Sequence, residues 1–256
     1  MGAGKSWKTR EVTVNSKPRF SLDLAAVVWM LGATVLAALA LVSLARPNSL
    51  AASASAAQSA SPADINPSSG FRLPLLKREE LDEDGKQIYD AVSSPSSSTI
   101  AGLRGPDGIL LYDPKVATLN RELNLYLRNG AGLSGHLREL AILVTAREAN
   151  SQFEWTSHEP RGLKEGIDPK TLDIVRFRRS TEGLPESDAV IIQFGRELFG
   201  KNRVSSETFA RALKLLGPHQ LVDVVALMGN YCFTAALLTS MDMQLPPGQK
   251  PLLPMP

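Results

Sequence analysis

The 256-residue chain is 43% hydrophobic and 21% charged, which is enough apolar content for a packed core and excludes wholesale disorder. Its net charge of +2 sits in residues 1–23, where Lys5, Lys8, Arg10, Lys17 and Arg19 outweigh Glu11 and Asp23; the remaining 23 cations and 24 anions leave −1, so the rest of the chain offers no basic nucleic-acid-binding surface. A single cysteine, Cys232, excludes an intramolecular disulfide, a C-x-x-C redox pair and a cysteine-based zinc site within one chain.

After the basic tail, residues 24–45 read LAAVVWMLGATVLAALALVSLA, 22 residues without a charge. As a helix this run spans about 33 Å at 1.5 Å per residue, enough for a hydrocarbon core of about 30 Å. The preceding cations orient it with its N-terminus in the cytoplasm, so that everything from Arg46 onward is exported. The run is long for a cleavable signal, yet small-x-small sites follow at Ser43-Leu44-Ala45 and Ala52-Ser53-Ala54. The domain is therefore either anchored to the membrane through residues 24–45 or released outside the cytoplasm. Residues 46–70 collapse to Ala, Ser, Pro and Asn with Asp64 as the only charge after Arg46, the composition of a flexible linker.

Residues 71–256 form the globular part, and their periodicity is helical, with no convincing alternating β-branched run. Lys77 to Val92 reads as an amphipathic helix with Leu81, Ile88, Tyr89 and Val92 on its apolar side, and Ser93 to Tyr112 as a long loop. Asp113-Pro114 and Asp168-Pro169 each place a capping carboxylate before a proline pre-set for the first turn. Ser134 caps a helix running through LRELAILVTAREA, and Ser205 caps another, with Val204 and Phe209 at staple spacing. From His219 to Met241 the chain is apolar on nearly every face, which predicts burial at the domain centre or between subunits. The ending QLPPGQKPLLPMP predicts an extended strap. These elements define an all-α domain of about eight helices.

Polar residues within the apolar helices are few. Glu139 interrupts LRELAILV, while Glu154 and His158 stand four residues apart on one face beside Trp155. Histidine titrates near neutrality and a carboxylate neighbour orients its ring, so a Glu/Glu/His cluster is a candidate proton-transfer site; the alternative is a weak solvated i,i+4 pair. His136 with Glu139, Glu154 and His158 has the composition of a two-His, two-carboxylate metal site, against which stands the exposed first-turn position of His136. His219 at a helix start reads as structural, and Cys232 as a small buried hydrophobe. No dinucleotide, phosphate-loop, nucleophile-elbow or H-E-x-x-H motif is present.

Taken together, GPDGILLYDP (105–114), LRELAILVTAREANSQFEWTSHEPRGLKEGI (137–167), LPESDAVIIQFGREL (184–198), VSSETFARALKLLG (204–217) and HQLVDVVALMGNYCFTAALLTSMDMQLP (219–246) resemble the carboxymuconolactone decarboxylase family, related to the alkyl hydroperoxidase D proteins. The resemblance implies an alkyl hydroperoxidase D-like all-helical domain that assembles into homotrimers or homohexamers with sites near subunit contacts. The hydroperoxidase branch carries a C-x-x-C pair followed by a histidine, with an upstream glutamate. The matching positions here are Ser151, Glu154, His158 and Glu139, so both sulfurs are missing and thiol peroxidase chemistry is disfavoured. The decarboxylase branch needs no metal or organic cofactor. By that resemblance His158 is the general acid/base, Glu139 orients it or relays protons to it, Glu154 sets its tautomer, and Arg138 or Arg161 holds a carboxylate of a small-molecule substrate. The expected activity is a lyase reaction on a small carboxylated lactone or related oxygenated acid. The alternative is a catalytically silent helical oligomer that binds a ligand or partner outside the cytoplasm.

Overall fold

The computed structural model describes residues 62–97 and 99–255; the expected membrane or signal segment at 24–45 lies outside them. Eight helices are present among the described residues: α1 (Glu83–Ser93), α2 (Pro106–Leu110), α3 (Pro114–Leu125), α4 (Gly135–Glu148), α5 (Gln152–Lys164), α6 (Pro169–Arg176), α7 (Glu186–Gly195) and α8 (Ser206–Ser240). Among these residues there is no β-strand, only an isolated antiparallel bridge between Asn66 and Phe71.

The capping residues act as their chemistry dictates. Asp113 accepts from the Val116 amide and Asp168 from the Lys170 amide, each with proline in the first turn. Ser134 accepts from the Leu137 amide and Ser205 from the Thr208 amide. Gly217, at φ 70°, followed by Pro218, breaks α8 where the sequence separates two helices.

At the centre lies α4, in which every residue from Glu139 to Arg147 is buried against α5, α7 and α8. The main core joins Leu140, Leu143 and Val144 to Trp155, Ile192, Leu227 and Met228. A smaller core joins Leu81, Ile88 and Val92 of the α1 region to Leu110, Leu111 and Ala117. The C-terminal strap lies where expected: Leu253 is buried in the main core, Arg147 Nη1 donates to the Pro254 carbonyl at 2.8 Å, and the Leu252 amide donates to Thr156 Oγ1 at 3.3 Å.

Four expectations need correction. Residues 62–70, assigned to the linker, are built into the domain: the Ser69 hydroxyl donates to the Leu73 carbonyl at 2.6 Å, and Arg104 to the Pro67 carbonyl at 3.1 Å. The helix expected from Lys77 starts only after Asp82, whose carboxylate caps the Gly85 amide. The expected loop Ser93–Tyr112 contains α2, whose Ile109 and Leu110 bury the apolar part of GPDGILLY. Finally, Phe209 is half exposed and lines an apolar groove with Phe194, Leu213 and Val222, while Val204 packs on the core.

The long α8 is buried on one side only. Leu221, Val224, Leu227, Met228 and Leu238 face the interior, whereas Val222, Val225 and Phe233 are exposed. By length and composition α8 could cross a membrane, but 56% of its most apolar window is buried inside the domain. Helix α3 shows the same division, exposing Val116, Leu119 and Leu123.

Candidate active site

The packing of α4 against α5 brings together two residues far apart in sequence. Gly162, one turn beyond His158, makes this approach possible, since a Cβ there would stand 2.9 Å from Leu143 Cδ1 and 3.1 Å from Ile167 Cδ1. With the helices this close, His158 Nδ1 lies 2.7 Å from Glu139 Oε2. Both side chains are almost completely buried. Tyr231 from α8 meets the imidazole edge-on, its ring centroid 5.1 Å away and the planes at 88°.

Electrostatics fixes the tautomer of this pair. Burial opposes ionisation of Glu139, but the hydrogen bond and charge of His158, with Arg128 and Arg138 nearby, hold its carboxyl below the usual range. Burial, only partly offset by Glu139, lowers the His158 imidazolium pKa. The result is a carboxylate that can only accept and a neutral ring that must therefore donate from Nδ1. The lone pair then resides on Nε2. Glu154 Oε2 lies 3.5 Å from that nitrogen, too far for a good hydrogen bond. Burial, together with the charges of Asp107 and Glu139 and against that of Arg128, pushes the Glu154 carboxyl up to about 8. Thus Glu139, expected either to orient the ring or to relay protons, makes the contact that orients it, whereas Glu154, expected to set the tautomer, stands near Nε2 without a good hydrogen bond to it.

His158 and Glu154 line a cleft whose empty space, open mouth included, is about 760 Å³. Its walls come from the segment before α2, from α3 and from α8. Arg121, Asn124 and Arg128 project into it from one face of α3 and the wider helical turn that extends it, Tyr126–Gly130. Such turns are often found at functional positions. Asn124 donates to Asn230 Oδ1 at 2.9 Å, and Asn230 donates to Asn120 Oδ1 at 2.7 Å, which braces this wall against α8.

The arginines expected to bind substrate stand elsewhere. Arg138 is absent from the cleft lining; it donates to the Arg128 carbonyl at 3.0 Å and to Glu139 at 3.4 Å, and lies 3.7 Å from Glu165. It fixes the backbone beneath Arg128. Arg161 is partly buried and likewise does not line the cleft. Sequence reasoning missed Arg121, Arg128 and Tyr231, although the 3- and 7-residue spacing of Arg121, Asn124 and Arg128 is a helical polar stripe legible in the chain.

The remaining candidates fall outside the cleft. His136 Nε2 lies 2.9 Å from Asp188 Oδ1 on α7, so it does not join Glu139 and His158, and no group of three or more His, Cys, Asp or Glu among the described residues is arranged to hold a metal ion. His219 is 80% exposed and pairs with Asp223 at 3.4 Å. Cys232 is half-buried on α8, more open than a core hydrophobe, and does not line the cleft.

The sequence matches no protein-family model and no curated protein. Among solved structures the fold is similar to that of the debrominase Bmp8, a cysteine-to-alanine variant in complex with 2,3,4-tribromopyrrole, with a TM-score of 0.53 and 10% identity over 67% of this chain and 90% of that one. At this identity the likeness establishes a shared helical architecture and nothing about the reaction.

Proposed function

We propose that the domain is a cofactor-independent, decarboxylase-like lyase of the carboxymuconolactone decarboxylase family, with an alkyl hydroperoxidase D-like fold, acting on a small carboxylated lactone or related oxygenated acid. The observation that carries this reading is the geometry beneath the cleft: His158 and Glu139 paired at 2.7 Å and almost completely buried, with the buried Glu154 carboxyl 3.5 Å from the other ring nitrogen. A solvated surface pair would show neither feature. The ability of a similar helical fold to hold a small ring compound in Bmp8 is consistent with the size of the ligand.

In this mechanism the bond from the ring carbon to the departing carboxylate breaks, CO₂ leaves, and the electron pair passes into the lactone carbonyl as an enolate. The proton that returns to carbon comes from Glu154, which is protonated at neutral pH. His158 Nε2 mediates its replacement, and Glu139 stabilises the imidazolium that forms transiently. Tyr231, whose hydroxyl burial keeps protonated, limits the motion of the ring. The missing sulfurs at Ser151 and Glu154 argue against hydroperoxide reduction. The exposed apolar stripes of α3 and α8 favour a homotrimer or homohexamer, and residues 24–45 favour a place outside the cytoplasm, anchored or released.

The test is CO₂ release by the full-length protein across a panel of carboxylated lactones, with His158→Ala and Glu139→Gln in parallel. Turnover that falls about 100-fold or more in His158→Ala is expected from loss of a general acid/base. Turnover unchanged in both variants removes the pair from the mechanism. No release on any substrate by the intact oligomer favours the silent binding module.

A further inference from the structure

Arg128 lines the cleft, yet the proton relay gives it no role. It lines the same cleft as Glu154, close enough to act on its charge, and among the described residues its guanidinium has no hydrogen-bond or ion-pair partner within bonding distance. Its backbone, by contrast, is pinned by the bond from Arg138 to its carbonyl. Arg121, one face-repeat earlier on α3, brings a second positive charge to the same wall, opposed only at longer range by Asp107. Glu139 is the nearby negative charge, but its carboxylate is bonded to His158, so the Arg128 guanidinium keeps its donors open toward the cleft.

We infer that Arg128, assisted by Arg121, is the anchor for a carboxylate of the ligand, which takes up these open donors and holds the ligand across Glu154 and His158. The inference deepens the lyase reading, on which it rests for the fate of the ligand but not for its binding. It also moves the anion-holding role away from Arg138, which becomes a positioning residue beneath the anchor. Planar two-point recognition by guanidinium favours a carboxylate over a neutral ester of the same shape.

A second consequence follows from the neighbours of Glu154. That carboxyl is faced by Asp107 from α2, Arg128 from the turn after α3, Glu139 from α4, His158 from its own helix and Tyr231 from α8. Of these Arg128 is the only cation, so an ionised Glu154 competes with the ligand for it. Anion binding is therefore coupled to proton retention on Glu154.

The experiment measures binding by the full-length protein in detergent, by calorimetry, of (5-oxo-2,5-dihydrofuran-2-yl)acetate and of its methyl ester. The parent binds the acid about tenfold or more tightly than the ester, and Arg128→Gln loses about tenfold for the acid with little change for the ester. Arg128→Lys retains an intermediate affinity, which together with an unchanged melting temperature separates loss of the anchor from loss of the fold. The parent's affinity for the acid declines as pH rises through about 8, whereas that of Glu154→Gln stays level. Equal affinity of parent and Arg128→Gln for the acid, equal affinity of the parent for acid and ester, or no binding of the acid by the folded parent each overturns the anchor. The two readings fail separately. Arg128-dependent binding without CO₂ release from the lactone panel leaves the anchor and removes the lyase, whereas CO₂ release with an unchanged KM in Arg128→Gln does the reverse.

Discussion

Two buried glutamates, Glu154 and Glu197, are exposed to nearly the same extent, 4% and 5%, yet they lie at opposite ends of the carboxyl range. Glu197 accepts from the Ser205 amide at 2.8 Å and from Gln193 at 2.9 Å, and these bonds, assisted by the Ser205 and Thr208 hydroxyls, hold its carboxyl down to about 2. Among the described residues Glu154 has no such donors, His158 Nε2 standing 3.5 Å away, and it faces Asp107 and Glu139, so burial raises it to about 8. The first is a satisfied structural bracket joining the end of α7 to the start of α8. The second lines the cleft, and in the proposed mechanism it stores the proton. Equal burial therefore leaves the two carboxyls with opposite shifts, and the supply of hydrogen-bond donors decides the direction.

The largest effect expected from breaking this contrast is on turnover. His158→Ala removes the base beside Glu154 and lowers CO₂ release by about 100-fold or more, while Glu197→Gln leaves turnover per folded molecule unchanged. Parity of the two variants in a steady-state assay would remove the distinction.

Next comes the close approach of α4 and α5. Gly162→Ala places a methyl group against Leu143 and Ile167, and overpacking of this kind costs about 1–3 kcal/mol. It also widens the 2.7 Å contact between His158 and Glu139. Thermal melting reads the first effect and turnover the second, and an unchanged rate would show that the contact tolerates helix displacement.

Glu197→Gln is expected to cost about 1–3 kcal/mol near neutral pH, because it leaves the donors at the α7–α8 junction poorly matched. The sign with pH is definite. The folded carboxyl titrates near 2, below an unfolded value of about 4.3, so its contribution is present above about 4.3 and is lost as pH falls toward 2. Melting curves of parent and variant should converge across that window.

The converse pH dependence is expected at Glu154. In the folded state Glu154 holds its proton to about 8, whereas unfolded it ionises near 4.3, so its contribution is fully present below about 4.3 and is lost as pH rises toward 8. Glu154→Gln therefore melts above the parent at pH 9 and level with it at pH 4, by about 2–4 °C for each kcal/mol recovered. A pH-independent difference would refute the stored proton.

What the sequence determined by itself was local. The caps Asp113, Ser134, Asp168 and Ser205, the break at Gly217-Pro218, the all-helical class and the candidacy of Glu139, Glu154 and His158 rest on chemistry within a few residues, where spacing is nearly sufficient. The short helix Pro106–Leu110 escaped detection because its stability comes from burying Ile109 and Leu110 rather than from its own periodicity. Only the tertiary structure decided which glutamate bonds to Nδ1 and which stands at Nε2, since Glu139 meets His158 across nineteen positions through a gap that Gly162 leaves open. It also decided that Arg138 braces a backbone while Arg128 faces the cleft. Arginines are alike in sequence, and only their neighbours determine which charge is already neutralised and which is left for a ligand.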